Sequence, residues 1–174
     1  MSITDLEQEF VRSDMLAFAD AVKSEFVAPR LFDEPPRLRL TGRLSLIPES
    51  KTKANCTVIF KTDWITAPPE IFCHDSWLRR EKDWHTNEHG NLCYVLKAQW
   101  AKRLKDVASR HDIIGVVDYA RRYLVRNARW LLQRHWQGYR ENIEKWKWIQ
   151  WSHGPDGTDE FHQEEGQENP GLSQ

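Results

Sequence analysis

The feature that most constrains the fold is the segment RLRLTGRLSLI, residues 37–47, in which leucines alternate with polar residues. Successive side chains of a β-strand point to opposite faces, so this alternation predicts a strand buried on one side only. The two faces are Leu38, Leu40, Leu44 and Leu46 on one side, and Arg37, Arg39, Arg43 and Ser45 on the other. Gly42 lies inside the pattern and predicts a bend there. A one-faced strand requires a sheet covered by other elements.

The segment before this strand predicts a helix over residues 3–27. Its apolar residues recur at mostly helical spacing, and Ser2 or Thr4 is suited to cap its first turn. They are Leu6, Phe10, Met15, Phe18, Val22 and Phe26. Ala28 precedes Pro29, and a residue before proline disfavours the helical conformation, so the helix is expected to end there and a loop to follow through Pro36.

Residues 56–62 predict a second strand and residues 70–74 a third, with an extended corner at Ala67-Pro68-Pro69 between them. Residues 75–92 predict a loop with a short turn at 77–80. Helical character returns from Val95, and residues 113–149 predict one long helix or two, with Trp146, Trp148 and Trp151 near the end. This order predicts an α+β fold, an antiparallel β-meander of about three to four strands packed against an N-terminal helix and long C-terminal helices.

Charge divides the chain into two parts. Residues 152–174 carry six acids and no Lys or Arg, which leaves residues 1–151 at +5 although the whole chain has a net charge of −1. We expect one domain at 1–151 and an acidic, disordered tail at 152–174. The basic residues are dispersed among acids, which argues against nucleic acid as a partner. No apolar run is long enough to span a membrane and the acidic N-terminus does not read as a signal peptide, so a cytoplasmic location is expected.

The richest candidate site lies in residues 83–100, DWHTNEHGNLCYVLKAQW. A polar turn containing Gly90 delivers Cys93 onto an apolar run, a common way to present a thiol. The three cysteines, at positions 56, 73 and 93, are an odd number that favours a reducing compartment and one reactive thiol over a disulfide framework. Cys56 and Cys73 fall within strand patterns and are expected in the core.

The helix, the meander, the Pro68-Pro69 corner, His85-Thr86-Asn87, Cys93 and Trp100 together resemble a ubiquitin-conjugating enzyme. The resemblance covers residues 1–135 in element order and residues 67–100 in motifs. Thr86 stands where that family has proline, and the interval from Asn87 to Cys93 is about two residues shorter than in the eukaryotic enzymes. This compact form is similar to bacterial members found in ubiquitin-like conjugation operons and in antiphage defence systems that modify a cyclic-oligonucleotide synthase.

The resemblance implies a cysteine-dependent acyl transferase without a cofactor. The acyl donor would be the C-terminus of a ubiquitin-like protein or of a cyclic-oligonucleotide synthase, with a possible activating enzyme, and the acceptor a protein or small amine. Cys93 would form the thioester, with Asn87 and His85 as its catalytic partners. A thiolate nucleophile suits this chemistry, since a thioester can later acylate an amine.

The residues around Cys93 allow several supporting roles. His85 or His89 could assist ionisation of the thiol, and Asn87 or backbone N–H groups could stabilise the oxyanion. Asp75 or Asp83 could orient the amine, and His74 could line the site.

Three alternatives stay open. Cys93 could be a buried small hydrophobe, Asn87 an Asx-turn residue, and His89 a solvated loop residue. The ligand types of Cys73, His85, His89 and Cys93 also suit zinc, although the chain has no Cys-x-x-Cys pair. Finally, the fold could serve as a non-catalytic interaction module that binds through its basic, Trp-rich C-terminal helix.

Overall fold

The computed structural model describes residues 3–47 and 50–143. Four strands form one antiparallel sheet in the order β1-β2-β3-β4, so each strand pairs with its neighbour in sequence. The strands are β1 (Phe26–Glu34), β2 (Arg37–Ser45), β3 (Lys53–Phe60) and β4 (Glu70–Cys73). Helix α1 (Ile3–Lys23) precedes the sheet, and α2 (Lys97–Ala108) and α3 (Ile113–Arg140) follow it. The predicted α+β class, the antiparallel meander and its flanking helices are confirmed.

The alternating segment is strand β2, as predicted. Its leucines are buried, while Arg37 and Arg43 are exposed on the opposite face. The pairing of β2 with β3 runs through Gly42 without a break in register. The irregularity lies instead on the neighbouring strand β1, where the register with β2 shifts between Val27 and Arg30.

The prediction for residues 24–34 is wrong. Helix α1 ends at Lys23, and the expected helix end and loop form strand β1. Pro29 is tolerated because β1 is an edge strand, and its register shift is a bulge at which Ala28 adopts a left-handed conformation (φ 52°). The proline was a correct sign of irregular backbone, but the irregularity interrupts a strand and not a helix.

Helix α3 is one continuous helix as far as Arg140. Asp112 caps its first turn, because its side chain accepts a hydrogen bond from the N–H of Gly115. The predicted apolar face is buried through Ala120, Leu124 and Ala128. The remainder of the predicted helix, the cluster of Trp146, Trp148 and Trp151, and the acidic tail lie outside the described residues.

The core lies between the sheet and the three helices. Phe18 of α1 contacts the rings of Phe60, Trp64 and Trp100, with centroids 4.5–6.2 Å apart. Trp100 of α2 is fully buried, stacks on Tyr123 of α3, and donates its Nε1–H to the carbonyl of Trp64 at 2.6 Å. Trp100 therefore fixes α2, the helix that begins four residues after Cys93. Among the described residues, no helix is long and apolar enough to cross a membrane.

Candidate active site

Cys93 is the exposed cysteine of the three, and none of them is in a disulfide. Its neighbours Leu92 and Tyr94 are buried on either side of it. The N–H of Leu92 donates to the carbonyl of Ile71 in β4 at 2.8 Å, and the Tyr94 hydroxyl donates to the carbonyl of Pro69 at 2.8 Å. The Cys93 side chain is exposed although the residues on both sides of it are buried. The alternative in which Cys93 is a buried core residue is therefore excluded.

Gly90 attaches the loop before Cys93 to the sheet. Its carbonyl accepts a hydrogen bond from the N–H of Cys73 at 3.0 Å, and its backbone has a φ of +81°. A Cβ at this position would lie 2.5 Å from the carbonyl oxygen of Cys73, so no residue with a side chain fits without movement. Bridges between Phe72 and Asn91 and between Thr86 and Leu92 continue the pairing. Residues 90–92 thus add a short fifth segment beside β4.

Arg80 also stabilises the junction between β4 and the loop before Cys93, a role that the sequence did not predict. Its guanidinium donates to the carbonyls of Cys73, Asp75 and Leu78 at 3.2–3.4 Å. Arginine suits this position because its planar fork reaches several acceptors at once. No spacing or motif in the sequence distinguishes Arg80 from Arg79, so only the tertiary arrangement identifies it.

His85 contacts the cysteine through backbone atoms. Its carbonyl accepts the N–H of Cys93 at 2.6 Å, and its own backbone is left-handed with a φ of 55°. Partial burial raises the pKa of the Cys93 thiol above its ordinary value, because the thiolate loses hydration there. Cys93 is therefore mainly protonated at neutral pH. The predicted assistance of ionisation by His85 or His89 stays a prediction.

Asn87 forms the Asx turn that was the alternative to a catalytic role. Its Oδ1 accepts the N–H of His89 at 2.9 Å and the N–H of Asn91 at 3.0 Å. These two bonds orient the side-chain amide and brace the loop that contains Gly90. The Nδ2 group makes no hydrogen bond within the part of the chain that the structure describes, so the proposed oxyanion contact stays a prediction that the turn does not preclude.

The hydroxyl of Thr86, which stands where the resembled family has proline, makes hydrogen bonds within its own loop. Oγ1 accepts the N–H of Glu81 at 3.0 Å and lies within hydrogen-bonding distance of the carbonyls of Arg79 and Glu81. The side chain is buried at 6% exposure. Thr86 therefore closes the loop of residues 79–86 immediately before Asn87.

The other predicted site residues are more dispersed. The Asp75 carboxylate accepts the N–H and the Nδ2–H of Asn55 at 2.7 and 2.8 Å, which ties it to β3. His74 bonds Thr57 through Nε2 at 2.8 Å. His89 is exposed and lies beside Glu88, with its Nε2 3.3 Å from the carboxylate. Their supporting roles stay predictions, and these contacts give Asp75 and His74 structural partners.

Asp83 lies half-buried in a 3₁₀ turn, Lys82–Trp84, directly before His85. Of the two acids predicted to orient an amine, it is the one nearer in sequence to the loop that holds Cys93. Its predicted role also stays untested.

His135 of α3 is a further residue that the sequence did not single out. Its Nδ1 accepts the N–H of Arg79 at 3.2 Å, and its Nε2 lies 2.8 Å from the carbonyl of Trp84. Because the N–H of Arg79 can only donate, the ring proton resides on Nε2 and points to Trp84. Burial, with a smaller contribution from the nearby His85, lowers the pKa of His135 to about 4. The imidazole is therefore neutral at physiological pH.

The zinc alternative is not supported. Among the described residues, no group of three or more His, Cys, Asp or Glu side chains could hold a metal ion. Cys73 is buried beside Cys56, whereas Cys93 and His89 are exposed, so the four suggested ligands do not converge. Burial of Cys56 and Cys73 agrees with their predicted place in the core. The pKa of Cys56 lies well above its ordinary value, mainly because of a hydrogen bond with Cys73 and secondly because of burial.

Comparison with known proteins identifies no relative. No protein-family model matches the chain, and no curated protein or solved structure matches it. The class defined by the structure is thus an α+β domain with a four-stranded antiparallel sheet and an exposed cysteine held beside the last strand.

Proposed function

We propose that this protein is a cysteine-dependent acyl transferase of the ubiquitin-conjugating-enzyme type. The observation that carries the proposal is the exposed Cys93, presented by a braced loop that lies beside β4, the last strand of the meander. The position of the cysteine between the sheet and α2, and the Trp100 that anchors this helix, support it. Acyl transfer needs a reachable thiol, and among the cysteines Cys93 alone is exposed.

The proposed reaction has two steps. The Cys93 thiol loses its proton, and the thiolate attacks the carbonyl carbon of an activated C-terminus; the new C–S bond forms as the original leaving group departs. An amine of the acceptor then attacks the thioester carbonyl. An amide bond forms, the C–S bond breaks, and Cys93 recovers the proton that the amine loses.

Asn87 is the proposed source of oxyanion stabilisation, together with backbone N–H groups of the loop. Its Oδ1 is held by two backbone donors, which fixes the amide and leaves Nδ2 as its remaining donor. A pre-oriented donor is worth about 3–4 kcal/mol in the transition state. His85, placed by its backbone bond to Cys93, is the proposed proton acceptor, with His89 as the alternative.

The proposed acyl donor is the C-terminus of a ubiquitin-like protein or of a cyclic-oligonucleotide synthase, activated by a separate enzyme, in a bacterial conjugation or antiphage pathway. The acceptor is a protein or small amine. The proposed location is the cytoplasm, where thiols stay reduced.

The proposal is tested with a synthetic peptide that ends in a glycine thioester of a small thiol. We expect the wild-type protein to gain one peptide mass in a form that dithiothreitol releases, and Cys93→Ala to gain none. Cys73→Ala is the matched control and should behave as wild type. Added hydroxylamine or lysine should then discharge the adduct. If wild type and Cys93→Ala are acylated equally, the proposed function is wrong.

A second candidate function, a non-catalytic interaction module, is favoured by one observation. The Oδ1 of Asn87 already accepts two backbone hydrogen bonds from its own loop, which gives this side chain a structural role without catalysis. This function predicts that Cys93→Ala retains full activity in a cellular complementation assay. The transferase predicts complete loss in the same assay, so the two functions are separated by one variant.

A further inference from the structure

The side chain of His135 connects the loop of residues 79–85 to α3. His135 accepts the N–H of Arg79 on Nδ1 and donates to the carbonyl of Trp84 from Nε2. These two backbone groups lie at opposite ends of the loop, so a single imidazole ring joins both. The ring is 1% exposed and its centroid lies 5.4 Å from that of Trp84, which is also buried.

The same loop carries the backbone group that holds Cys93. Trp84 is followed by His85, whose carbonyl accepts the N–H of Cys93 at 2.6 Å. The N–H of His85 itself donates to the carbonyl of Lys82 at 3.0 Å, which makes the end of the loop a closed turn. A displacement of the Trp84 carbonyl therefore moves the acceptor of the Cys93 amide.

We propose that His135 is a positioning residue for Cys93, acting from α3 through the Trp84–His85 backbone. The importance of His135 for acyl transfer rests on the proposed function. The structural coupling between His135 and Cys93 is a property of the fold and does not depend on that function. Thr86 closes the loop locally, through Arg79 and Glu81. His135 supplies the connection to the body of the domain that a local bond cannot give.

The charge state of the ring supports this role. Both hydrogen bonds require the neutral ring with its proton on Nε2, and burial keeps the ring neutral at physiological pH. A protonated ring would place an N–H on Nδ1 against the N–H of Arg79, and this contact would break. Among the groups near the ring are the backbone N–H of Arg79 and the backbone carbonyl of Trp84, which bond it, and the His85 side chain, which acts on it electrostatically.

The test compares three full-length variants by two readouts that do not need a substrate. His135→Leu removes both hydrogen bonds at similar volume, His135→Gln offers a donor and an acceptor, and Val125→Ala destabilises α3 at a buried site nearly three turns earlier. The readouts are the rate of Cys93 alkylation by iodoacetamide and the hydrogen exchange of the Cys93 amide. They are compared at denaturant concentrations that give all variants the same global stability.

We expect His135→Leu to speed exchange of the Cys93 amide about thirtyfold, because it removes two hydrogen bonds worth about 1 kcal/mol each from the closed state. Alkylation of the thiol, which is already exposed, should change in the same direction by a smaller factor. His135→Gln should recover part of the protection, and Val125→Ala should match wild type. If Val125→Ala and His135→Leu react equally fast, or if His135→Leu matches wild type, the positioning role is wrong.

If His135→Leu does not fold, the wild-type protein alone tests the positioning role. Native-state hydrogen exchange should show the amides of Arg79 and Cys93 opening with the same free energy, as one unit, whereas unequal opening free energies overturn the inference. A separate outcome concerns the chemistry: if the coupling is found but Cys93 accepts no acyl group from the peptide thioester, the inference stands and the proposed function fails.

Discussion

Replacement of Gly90 by alanine tests how the loop before Cys93 is held to the sheet. The φ of Gly90 is +81°, a conformation that residues with a side chain rarely adopt. The added Cβ would meet the carbonyl oxygen of Cys73 at 2.5 Å, and this neighbour is backbone within β4. Neither group can turn away, so the loop itself must move.

The expected cost follows from two contributions. Holding alanine in a left-handed conformation costs about 1–2 kcal/mol. Moving the loop away from β4 weakens the Cys73 N–H bond to Gly90 and the Leu92 N–H bond to Ile71, each worth about 0.5–1.5 kcal/mol. We therefore expect Gly90→Ala to lower the free energy of unfolding by about 2–4 kcal/mol.

Urea unfolding followed by tryptophan fluorescence measures this loss, with the slope checked for two-state behaviour. Gly42→Ala is the matched control, because Gly42 also lies at the sheet but has no positive φ and its nearest neighbour is the Phe26 side chain at 3.1 Å. The control should lose much less stability. If Gly90→Ala is within about 0.5 kcal/mol of the control, a size expected of ordinary surface changes, the argument from backbone conformation and contact fails.

Three further predictions concern the cysteine thiols, the imidazole of His135 and the hydroxyl of Thr86. Ellman's reagent should titrate one thiol in the native protein and three after denaturation, with peptide mapping assigning the native one to Cys93, because Cys56 and Cys73 are buried; rapid native reaction of a second thiol would contradict the burial. The unfolded chain binds a proton at His135 near pH 6.5 but the folded protein only near pH 4, so stability should fall as the pH drops through this window, by about 1.4 kcal/mol per unit and about 3 kcal/mol in all. Urea unfolding between pH 7 and pH 4.5 should show that the stability of His135→Gln falls less steeply with decreasing pH than that of wild type. His111→Gln, at an exposed site, is the control and should keep the wild-type pH dependence. Equal pH dependence in all three proteins would refute the assignment to His135. Thr86→Val should cost about 1–3 kcal/mol, because it takes the buried hydroxyl away from the N–H of Glu81 and the carbonyl of Arg79, both in partly buried hydrogen bonds. Thr66→Val at an exposed turn should change unfolding by less than about 0.5 kcal/mol; a similar small change at Thr86 would show that the hydroxyl is dispensable.

The sequence predicted the elements whose side chains alternate or repeat. Strand β2 was recognised because leucines at every second position define a buried face whatever covers it, and α3 because its apolar residues return every three or four positions. Exposure of Cys93 was predicted from the polar turn with Gly90 that precedes it, and the structure adds that Leu92 and Tyr94 are buried on either side of it.

Strand β1 could not be predicted in the same way. Its residues show no clean alternation, because the bulge at Ala28 and Pro29 shifts the register, and the edge position allows a proline that usually marks a loop. Residues that act through tertiary contacts were also invisible in the sequence. Arg80 bonds three backbone carbonyls and His135 joins the ends of a loop 51 residues away from it in sequence, and neither has a local signature.

The raised pKa of Cys93 bears on the kind of chemistry that this site would favour. A thiol with an ordinary pKa is only a few per cent ionised at neutral pH, and partial burial reduces this fraction further. However, a thiolate of higher pKa is intrinsically more nucleophilic and leaves more slowly. As an acyl carrier, Cys93 would therefore depend on a donor that arrives already activated, and its thioester would persist until an amine is positioned to attack. A thiol that had to activate its own substrate would instead need a lowered pKa, whereas burial raises the pKa of Cys93.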